Sequence, residues 1–442
     1  MTPKRPTAIV VALVAAIVLL APAVAAAWPA CDSRSEPIRS GVREVDRSRD
    51  GRILTIELRS RAMGDVESVN VLLPAGYRGG GRRYPVLYLL HGAAGTYRDW
   101  IDHGAEEIVG DLPAIVVMPD GGADGAYSDW VAAPPGAPEP FPAYETYYTD
   151  ELMPWVRSAL RVRRGPANTA IAGLSMGGHG AMKLAAEHPG TFGFAGSFSG
   201  AVNPSLPLYQ SLIQECKWGD PATDEVVWRD NDPTETPANL RGVSLFIRSG
   251  DGTSGPHDPP GGGTDVIESV VKMMNDAFVA ALAGAGVGDV DVSFGPGTHT
   301  WPYWQDDLAE FTGWLRPRLG GPVSRPHRIK VESAHEDVDA WGWGFATHRE
   351  VREFLYVEIT GKRRLRLTGS GRVDVTSPAQ YRPRRRYVLA GDGNRRKVRA
   401  DRRGRLSFRV RLGPSHTVQQ AGFDDGAIAG WKSASIRIAA KR

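Results

Sequence analysis

The 442-residue sequence predicts an α/β fold, a doubly wound and mostly parallel sheet, followed by a C-terminal β-sandwich. Continuous apolar segments suit buried parallel strands, and helical patterns lie between them. Beyond residue 320 the pattern changes to short strand-like segments separated by glycine and proline. We therefore expect an export signal at 1–27, an α/β domain at 38–320 and a basic β-sandwich domain at 325–442.

Hydrophobic periodicity places the elements of the α/β domain. Alternating segments predict half-buried strands, continuous apolar segments predict strands covered on both faces, and apolar residues at helical spacing predict helices. In chain order, strands are expected at 52–58, 68–73, 85–90, 114–118, 244–247 and 291–294, and helices at 178–188, 266–281 and 304–315.

The first 27 residues have the pattern of an export signal. Lys4 and Arg5 precede an almost purely apolar segment at 8–27, and small residues at 23–27 offer cleavage sites. We expect a protein that is secreted or associated with the cell surface. The apolar segment is also long enough to span a bilayer, so an uncleaved anchor is the alternative.

Cys31 and Cys216 are the only cysteines. In an exported chain an even number suggests a disulfide, but two unrelated thiols fit the pattern equally well. No Cys/His cluster has the spacing of a zinc site, and no glycine-rich loop matches a phosphate cradle. We therefore expect no metal and no cofactor.

Charge is distributed unevenly along the chain. Residues 325–442 contain 27 Lys and Arg against 12 Asp and Glu, a net charge of +15, and the remainder carries −12. The basic part favours binding to an anionic cell-wall or membrane surface, while a merely solvated basic face is the alternative. We expect no nucleic-acid partner.

A strand pattern at 170–172 leads into Gly173-Leu174-Ser175-Met176-Gly177 and then into a helical pattern. This is the nucleophile elbow of α/β-hydrolases, in which a sharp strand-to-helix turn exposes the serine at a helix N-terminus. Backbone N–H groups and the helix dipole favour negative charge that develops there. Ser175 is therefore the predicted nucleophile.

A serine hydroxyl needs a base, and in this fold the base comes last in chain order. His299 follows a predicted strand, lies in a glycine-rich loop and precedes the last helix, so it is the predicted base. The N–H groups of Ala93 and Met176 are the predicted oxyanion donors. His91 and Trp301 are the candidates for substrate contact, although we expect His91 mainly to shape its turn.

Several motifs together resemble the esterase D branch of the α/β-hydrolases, especially the secreted antigen 85 mycolyltransferases. They lie between Val71 and Leu319 and comprise Tyr88-Leu89-Leu90-x-Gly92, Ser128-Asp129-Trp130, Tyr144-Glu145-Thr146, Glu151-Leu152, Gly173-Leu174-Ser175-Met176, Arg229-Asp230-Asn231-Asp232-Pro233 and Gly297 to Trp304. The resemblance implies that the acid of the triad is Glu268. From the residues alone, Asp265 and Asp251 remain open as alternatives.

Two departures from antigen 85 concern the acceptor. Where His91 stands, that family carries an acidic residue, and where Ala94 stands it carries an arginine; both help to hold trehalose. We therefore do not expect trehalose specificity.

The sequence predicts a secreted serine carboxylic-ester hydrolase or acyltransferase with a Ser-His-Glu triad and an acyl-enzyme. Its substrate is an ester, with a lipid or glycolipid as one option, and either water or a sugar hydroxyl accepts the acyl group. The alternative is a cell-surface binding protein on a hydrolase scaffold, with incidental esterase activity.

Overall fold

A nine-stranded mixed sheet is the centre of the first 315 residues in the computed structural model. The model describes residues 28, 30–212, 215–323, 325–391, 394–419 and 430–440, so the predicted export signal lies outside the described residues. The strands of this part are β1 (Asp32–Ser33), β2 (Val42–Asp50), β3 (Ile53–Ser60), β4 (Val66–Leu72), β5 (Val86–Leu90), β6 (Ile115–Pro119), β7 (Ala132–Ala133), β8 (Thr169–Leu174), β9 (Phe194–Phe198), β10 (Ser244–Gly250) and β11 (Val290–Gly295).

Helices connect these strands. They are α1 (Asp99–Asp102), α2 (Ala105–Val109), α3 (Tyr144–Thr146), α4 (Met153–Ala159), α5 (Met176–Glu187), α6 (Pro207–Leu212), α7 (Glu225–Asp230), α8 (Val266–Ala285) and α9 (Trp301–Leu315), with a π-helix at Tyr147–Leu152 and 3-10 turns at Pro166–Asn168, Cys216–Trp218 and Pro237–Leu240. Within the described ranges, no helix combines the length and the apolar character that crossing a membrane requires.

The strand order of the large sheet is β11-β10-β9-β8-β5-β6-β4-β3-β2. Neighbours from β11 to β6 are parallel, and β4, β3 and β2 continue the sheet in antiparallel fashion. The mostly parallel α/β sheet that the sequence predicts is therefore present, with an antiparallel extension at one edge.

Both faces of this sheet are covered, as the continuous apolar segments predicted. In β5, Leu87 and Leu89 belong to one buried cluster, whereas Tyr88 and Leu90 belong to another, because successive side chains point to opposite faces. Helix α8 packs on the second cluster through Met274, Phe278 and Leu282, and α9 packs on the first through Leu308, Phe311 and Leu315. The helices that flank the site thus lie on opposite faces.

Beyond residue 325, the described residues form two antiparallel sheets. The strands are β12 (Arg328–Ser333), β13 (Asp337–Ala340), β14 (Trp343–His348), β15 (Leu355–Thr360), β16 (Arg364–Gly369), β17 (Arg372–Thr376), β18 (Arg386–Gly391), β19 (Asn394–Arg399), β20 (Ser407–Arg411) and β21 (Lys432–Ala440). The orders are β12-β15-β16-β21-β18-β19 and β13-β14-β17-β20, and residues of both sheets share one hydrophobic cluster. A β-sandwich domain remains a prediction that this packing favours.

The bounds of the α/β domain, 38–320, remain a prediction. Residues before 38 pack on it, since β1 pairs with β7 and the guanidinium of Arg34 donates to the carbonyl oxygens of Trp130 and Phe141. Cys31 and Cys216 form a disulfide, so the alternative of two unrelated thiols is wrong. A two-residue strand and a covalent link between distant residues leave no periodicity in the sequence.

Candidate active site

Ser175 lies at the turn between β8 and α5, with φ 52° and ψ −117°. A positive φ is rare for a residue with a side chain and is expected at a nucleophile elbow. A Cβ on Gly173 would come within 2.6 Å of the backbone of Gly177, and one on Gly177 within 2.5 Å of the carbonyl oxygen of Leu90. Glycine on both sides is what allows this turn to pack so tightly.

His299 connects Ser175 to a buried carboxylate. Its Nε2 lies 2.8 Å from Oγ of Ser175, and its Nδ1 lies 2.5 Å from Oε2 of Glu268. The side chain of Glu268 has no exposed surface, whereas 12% of the His299 side chain is exposed. The three predicted residues therefore form a continuous chain of hydrogen bonds that leads from the core to the surface.

The second oxygen of Glu268 is also engaged. Oε1 accepts hydrogen bonds from the hydroxyls of Ser199 at 2.7 Å and Ser249 at 2.9 Å. Ser199 directly follows β9 and Ser249 lies in β10, so the central sheet itself supplies both donors. A buried carboxylate that accepts several hydrogen bonds is held in one orientation and is compensated for its loss of hydration.

The three carboxylates that remained open as partners of His299 make different contacts. Oδ1 of Asp265 caps the N-terminus of α8, and its Oδ2 accepts the backbone N–H of His299 at 2.7 Å. Oδ1 of Asp251 accepts from the N–H and hydroxyl of Thr253 and closes a local turn. Of the three, Glu268 contacts the imidazole.

The site lies at one edge of the sheet. Ser175 follows β8, Glu268 lies in the helix after β10, His299 follows β11, and Ala93 lies in the loop after β5. These four strands are parallel members of one sheet, so their carboxyl ends meet at the same edge, where α/β folds bind ligands.

The N–H groups of Ala93 and Met176 donate to no protein acceptor in the described part of the chain. Met176 opens α5, directly after the nucleophile, and Ala93 follows a glycine packed against the elbow. A Cβ on Gly92 would lie 2.5 Å from Cδ1 of Leu174 and 3.4 Å from Cβ of Ser175. Free donors beside a nucleophile are what an oxyanion hole requires.

A family model described as "Putative esterase" matches residues 60–315, which is more than half of the chain. The chain belongs to this esterase family. The chain is 32% identical to Esterase Rv1288 of Mycobacterium tuberculosis over 315 residues, which are 68% of this chain and 65% of that protein. It therefore spans slightly less than two thirds of that relative.

The chain is also 34% identical over 264 residues to a protein of Mycobacterium gordonae named Diacylglycerol acyltransferase/mycolyltransferase Ag85A. That match covers 55% of this chain and 76% of the relative. Among solved structures, an S-formylglutathione hydrolase from Agrobacterium tumefaciens aligns with a TM-score of 0.48 and 20% identity, over 63% of this chain and 99% of that chain.

Of the two predicted substrate contacts, His91 has both ring nitrogens occupied within the fold. It is buried, its Nδ1 lies 2.7 Å from the carbonyl oxygen of Gly92, and its Nε2 accepts the N–H of Gly121 at 2.8 Å. Both nitrogens are thus used to shape the loop after β5. Trp301 is partly exposed and stacks on His103 at a ring distance of 3.6 Å, so it remains a candidate.

Three residues that support the triad were missed or misjudged from the sequence. Asp265 appeared as a competitor of Glu268, although an Asp directly before a helical pattern is also a common N-cap signal. Ser199 and Ser249 gave no signal, because their contacts with Glu268 join segments 69 and 19 residues apart.

Proposed function

We propose that this protein is an exported serine carboxylic-ester hydrolase or acyltransferase that works through Ser175, His299 and Glu268. The observation that carries the proposal is the unbroken hydrogen-bond chain from the hydroxyl of Ser175 to the carboxylate of Glu268. The disulfide between Cys31 and Cys216 supports export, because such bonds persist in oxidising compartments.

In the proposed reaction, Oγ of Ser175 attacks the ester carbonyl carbon while Nε2 of His299 takes the hydroxyl proton. Glu268 holds the imidazole in orientation and stabilises the cation that forms. The N–H groups of Ala93 and Met176 donate to the carbonyl oxygen as it becomes negative. His299 then returns the proton to the leaving alcohol, and an acyl-enzyme on Ser175 remains.

The second half of the reaction repeats these steps with a new acceptor. Nε2 of His299 removes a proton from water or from a sugar hydroxyl, and the oxygen attacks the acyl carbon. The bond from that carbon to Oγ of Ser175 then breaks, and His299 returns the proton to Oγ. Water gives an esterase and a sugar gives an acyltransferase. Both activities occur in the names of the relatives, Esterase Rv1288 and Diacylglycerol acyltransferase/mycolyltransferase Ag85A, and an ester of a lipid or glycolipid is the proposed substrate class.

A fluorophosphonate probe tests the proposal directly, since it labels activated serines covalently. The intact protein should take up one probe per chain, and Ser175→Ala should take up none and lose on the order of a millionfold in turnover of p-nitrophenyl esters. Ser158→Ala, which removes a hydroxyl from α4, is the matched control and should behave as wild type. Full labelling or near-full activity in folded Ser175→Ala would contradict the assignment.

We propose a second role for residues 325–442, as a basic β-sandwich domain that attaches the enzyme to an anionic cell-wall or membrane surface. Its six-stranded sheet supports this role. Arg364 lies directly opposite Arg437 on the neighbouring strand, and Arg386 lies opposite Arg399; all four are exposed. Like charges in such pairs repel each other, and an external polyanion would relieve that repulsion.

Co-sedimentation of the full chain with insoluble cell-wall material tests this role. Binding should weaken steeply as salt rises, because exposed charges act over roughly 8 Å at physiological ionic strength. The double variant Arg364→Glu, Arg437→Glu should bind less than the charge-matched control Arg59→Glu, Arg78→Glu. Salt-independent binding, or an equal effect of both variants, would support the alternative of a merely solvated basic face.

A further inference from the structure

A second cluster of histidines and carboxylates lies away from the triad, where the C-terminal sheets meet the α/β domain. His335, between β12 and β13, points its Nε2 among three acidic side chains. The distances from this atom are 3.3 Å to Oδ2 of Asp230, 3.7 Å to Oε1 of Glu145 and 3.8 Å to Oε1 of Glu187.

A second imidazole reaches the same group of oxygens. Nε2 of His188 lies 3.1 Å from Oε1 of Glu145, and the ligand atoms of His188, Glu145 and Glu187 all lie within 4.8 Å of one another. The buried ammonium of Lys183 takes the opposite oxygens, at 2.7 Å from Oε2 of Glu145 and 2.6 Å from Oε2 of Glu187. Lys183 thereby turns both Oε1 atoms towards the histidines.

Glu187 points to a missing ligand. Glu187 is only 7% exposed, yet its Oε1 accepts no hydrogen bond in the described part of the chain. A buried carboxylate oxygen without a partner is costly unless a cation or a proton is supplied.

We propose that Glu145, Glu187, His188 and His335 bind one divalent metal ion of the zinc type. Zinc takes nitrogen and oxygen ligands at about 2.0–2.2 Å in a tetrahedron, which places neighbouring ligand atoms roughly 3.3–3.6 Å apart. The separations of 3.1 Å between His188 and Glu145, and of 3.7 and 3.8 Å from His335 to Glu145 and Glu187, are close to these values. Lys183 orients the two glutamates, Asp230 orients His335, and both contribute to the charge balance of the site.

The position of the site gives it a structural consequence. Glu145, Asp230 and His335 line a cavity of about 300 Å³, which offers the ion a route from solvent. Three ligands come from the α/β domain and one from the segment between β12 and β13, so the ion would fasten the two parts together. The site uses no triad residue and is therefore independent of the proposed ester chemistry.

The experiment is a titration of the full-length, chelator-treated protein, purified without a histidine tag, with Zn²⁺ by calorimetry and with Co²⁺ by visible absorption. We expect one ion per chain and the intense Co²⁺ bands of a four-coordinate site. His188→Ala and His335→Ala should each weaken Zn²⁺ binding at least tenfold.

His348→Ala is the matched control, because His348 also pairs with a carboxylate, Asp374, but lies on the exposed surface of β14. Its Zn²⁺ affinity should equal that of wild type. His188 is partly exposed, so its variant tests the site even where His335→Ala folds poorly. Absence of saturable one-to-one binding in wild type, or undiminished binding in folded His188→Ala, would overturn the proposal in favour of a purely ionic cluster.

Discussion

His299 and His335 both lie against buried carboxylates but have different surroundings. His299 has one carboxylate at Nδ1 and the hydroxyl of Ser175 at Nε2. His335 has carboxylates from three side chains around Nε2. Burial alone would lower the pKa of His335, but Glu145, Asp230 and Glu187 outweigh it and raise the pKa to about 10.

The comparison shows that the number and placement of carboxylates decide what a histidine can do. A single carboxylate on one nitrogen orients the ring and leaves the other nitrogen free to exchange a proton with a hydroxyl. Three carboxylates around one nitrogen hold a cation there, whether it is the proton of an imidazolium or a metal ion. The first arrangement suits catalysis, and the second suits attachment of one part of the chain to another.

The largest expected effect follows from changing the carboxylate that contacts His299. Glu268→Gln should keep the fold but lower kcat about 10⁴-fold, since the amide no longer stabilises the imidazolium. Asp265→Asn should cost on the order of tenfold, because Asn has one acceptor oxygen, whereas Asp265 uses one oxygen for the N-cap of α8 and the other for the His299 N–H. Asp251→Asn should stay within about twofold, and steady-state kinetics on a p-nitrophenyl ester gives the ranking.

A reversed ranking, with Asp251→Asn or Asp265→Asn more damaging than Glu268→Gln, would move the acid role to another residue. Circular dichroism and thermal unfolding of the three variants separate a loss of chemistry from a loss of fold.

A substitution in the cluster around His335 should instead change the free energy of unfolding. His335→Gln removes the cation from three acidic neighbours and should lower the free energy of unfolding by about 2–3 kcal/mol. The accompanying fall in kcat should be small beside that of Glu268→Gln. Urea unfolding of His335→Gln and of the exposed control His348→Gln measures the difference. Equal stability of the two variants would show that the cluster around His335 does not stabilise the contact between the α/β part and the C-terminal sheets.

A third histidine sharpens the comparison, because it has no carboxylate at all. His179 is buried in α5 and its Nε2 contacts the carbonyl oxygen of Asn231, so burial lowers its pKa to about 3. Below about pH 6.5 the unfolded chain binds a proton that the folded chain does not, and stability falls with falling pH by up to about 1.4 kcal/mol per unit.

His179→Gln should therefore flatten the dependence of unfolding free energy on pH between about 6.5 and 3. Urea unfolding at several pH values measures the slope. An unchanged slope in the variant would mean that the folded protein protonates His179 without cost.

The smallest expected effect concerns His91, whose nitrogens are both held by backbone groups. With neither His91 nor Ala94 able to supply the charged pair of antigen 85 enzymes, trehalose should not accelerate turnover of the acyl-enzyme. Burst kinetics with a p-nitrophenyl ester, with and without trehalose, measures this step. A saturable acceleration would show that another part of the site binds the sugar.

The sequence predicted the features that depend on residues close together along the chain. The strands β5 and β8 and the elbow at Ser175 follow from local apolar segments and glycine spacing. The choice among Asp251, Asp265 and Glu268 could not be made locally, since it depends on how α8 packs on the sheet. The cluster around His335 could not be predicted at all, because its members come from four segments of the chain that lie 38 or more residues apart, and only Lys183, Glu187 and His188 share one segment.

In the proposed exported protein, the disulfide between Cys31 and Cys216 has a consequence for the order in which the chain folds. In a chain that crosses a membrane N-terminus first, Cys31 emerges 185 residues before its partner. Strands β5 and β8 and the serine elbow have all left the channel by then. The bond therefore closes around a largely emerged sheet, and export into a compartment short of oxidant would yield a protein whose first strand alone lacks its covalent anchor.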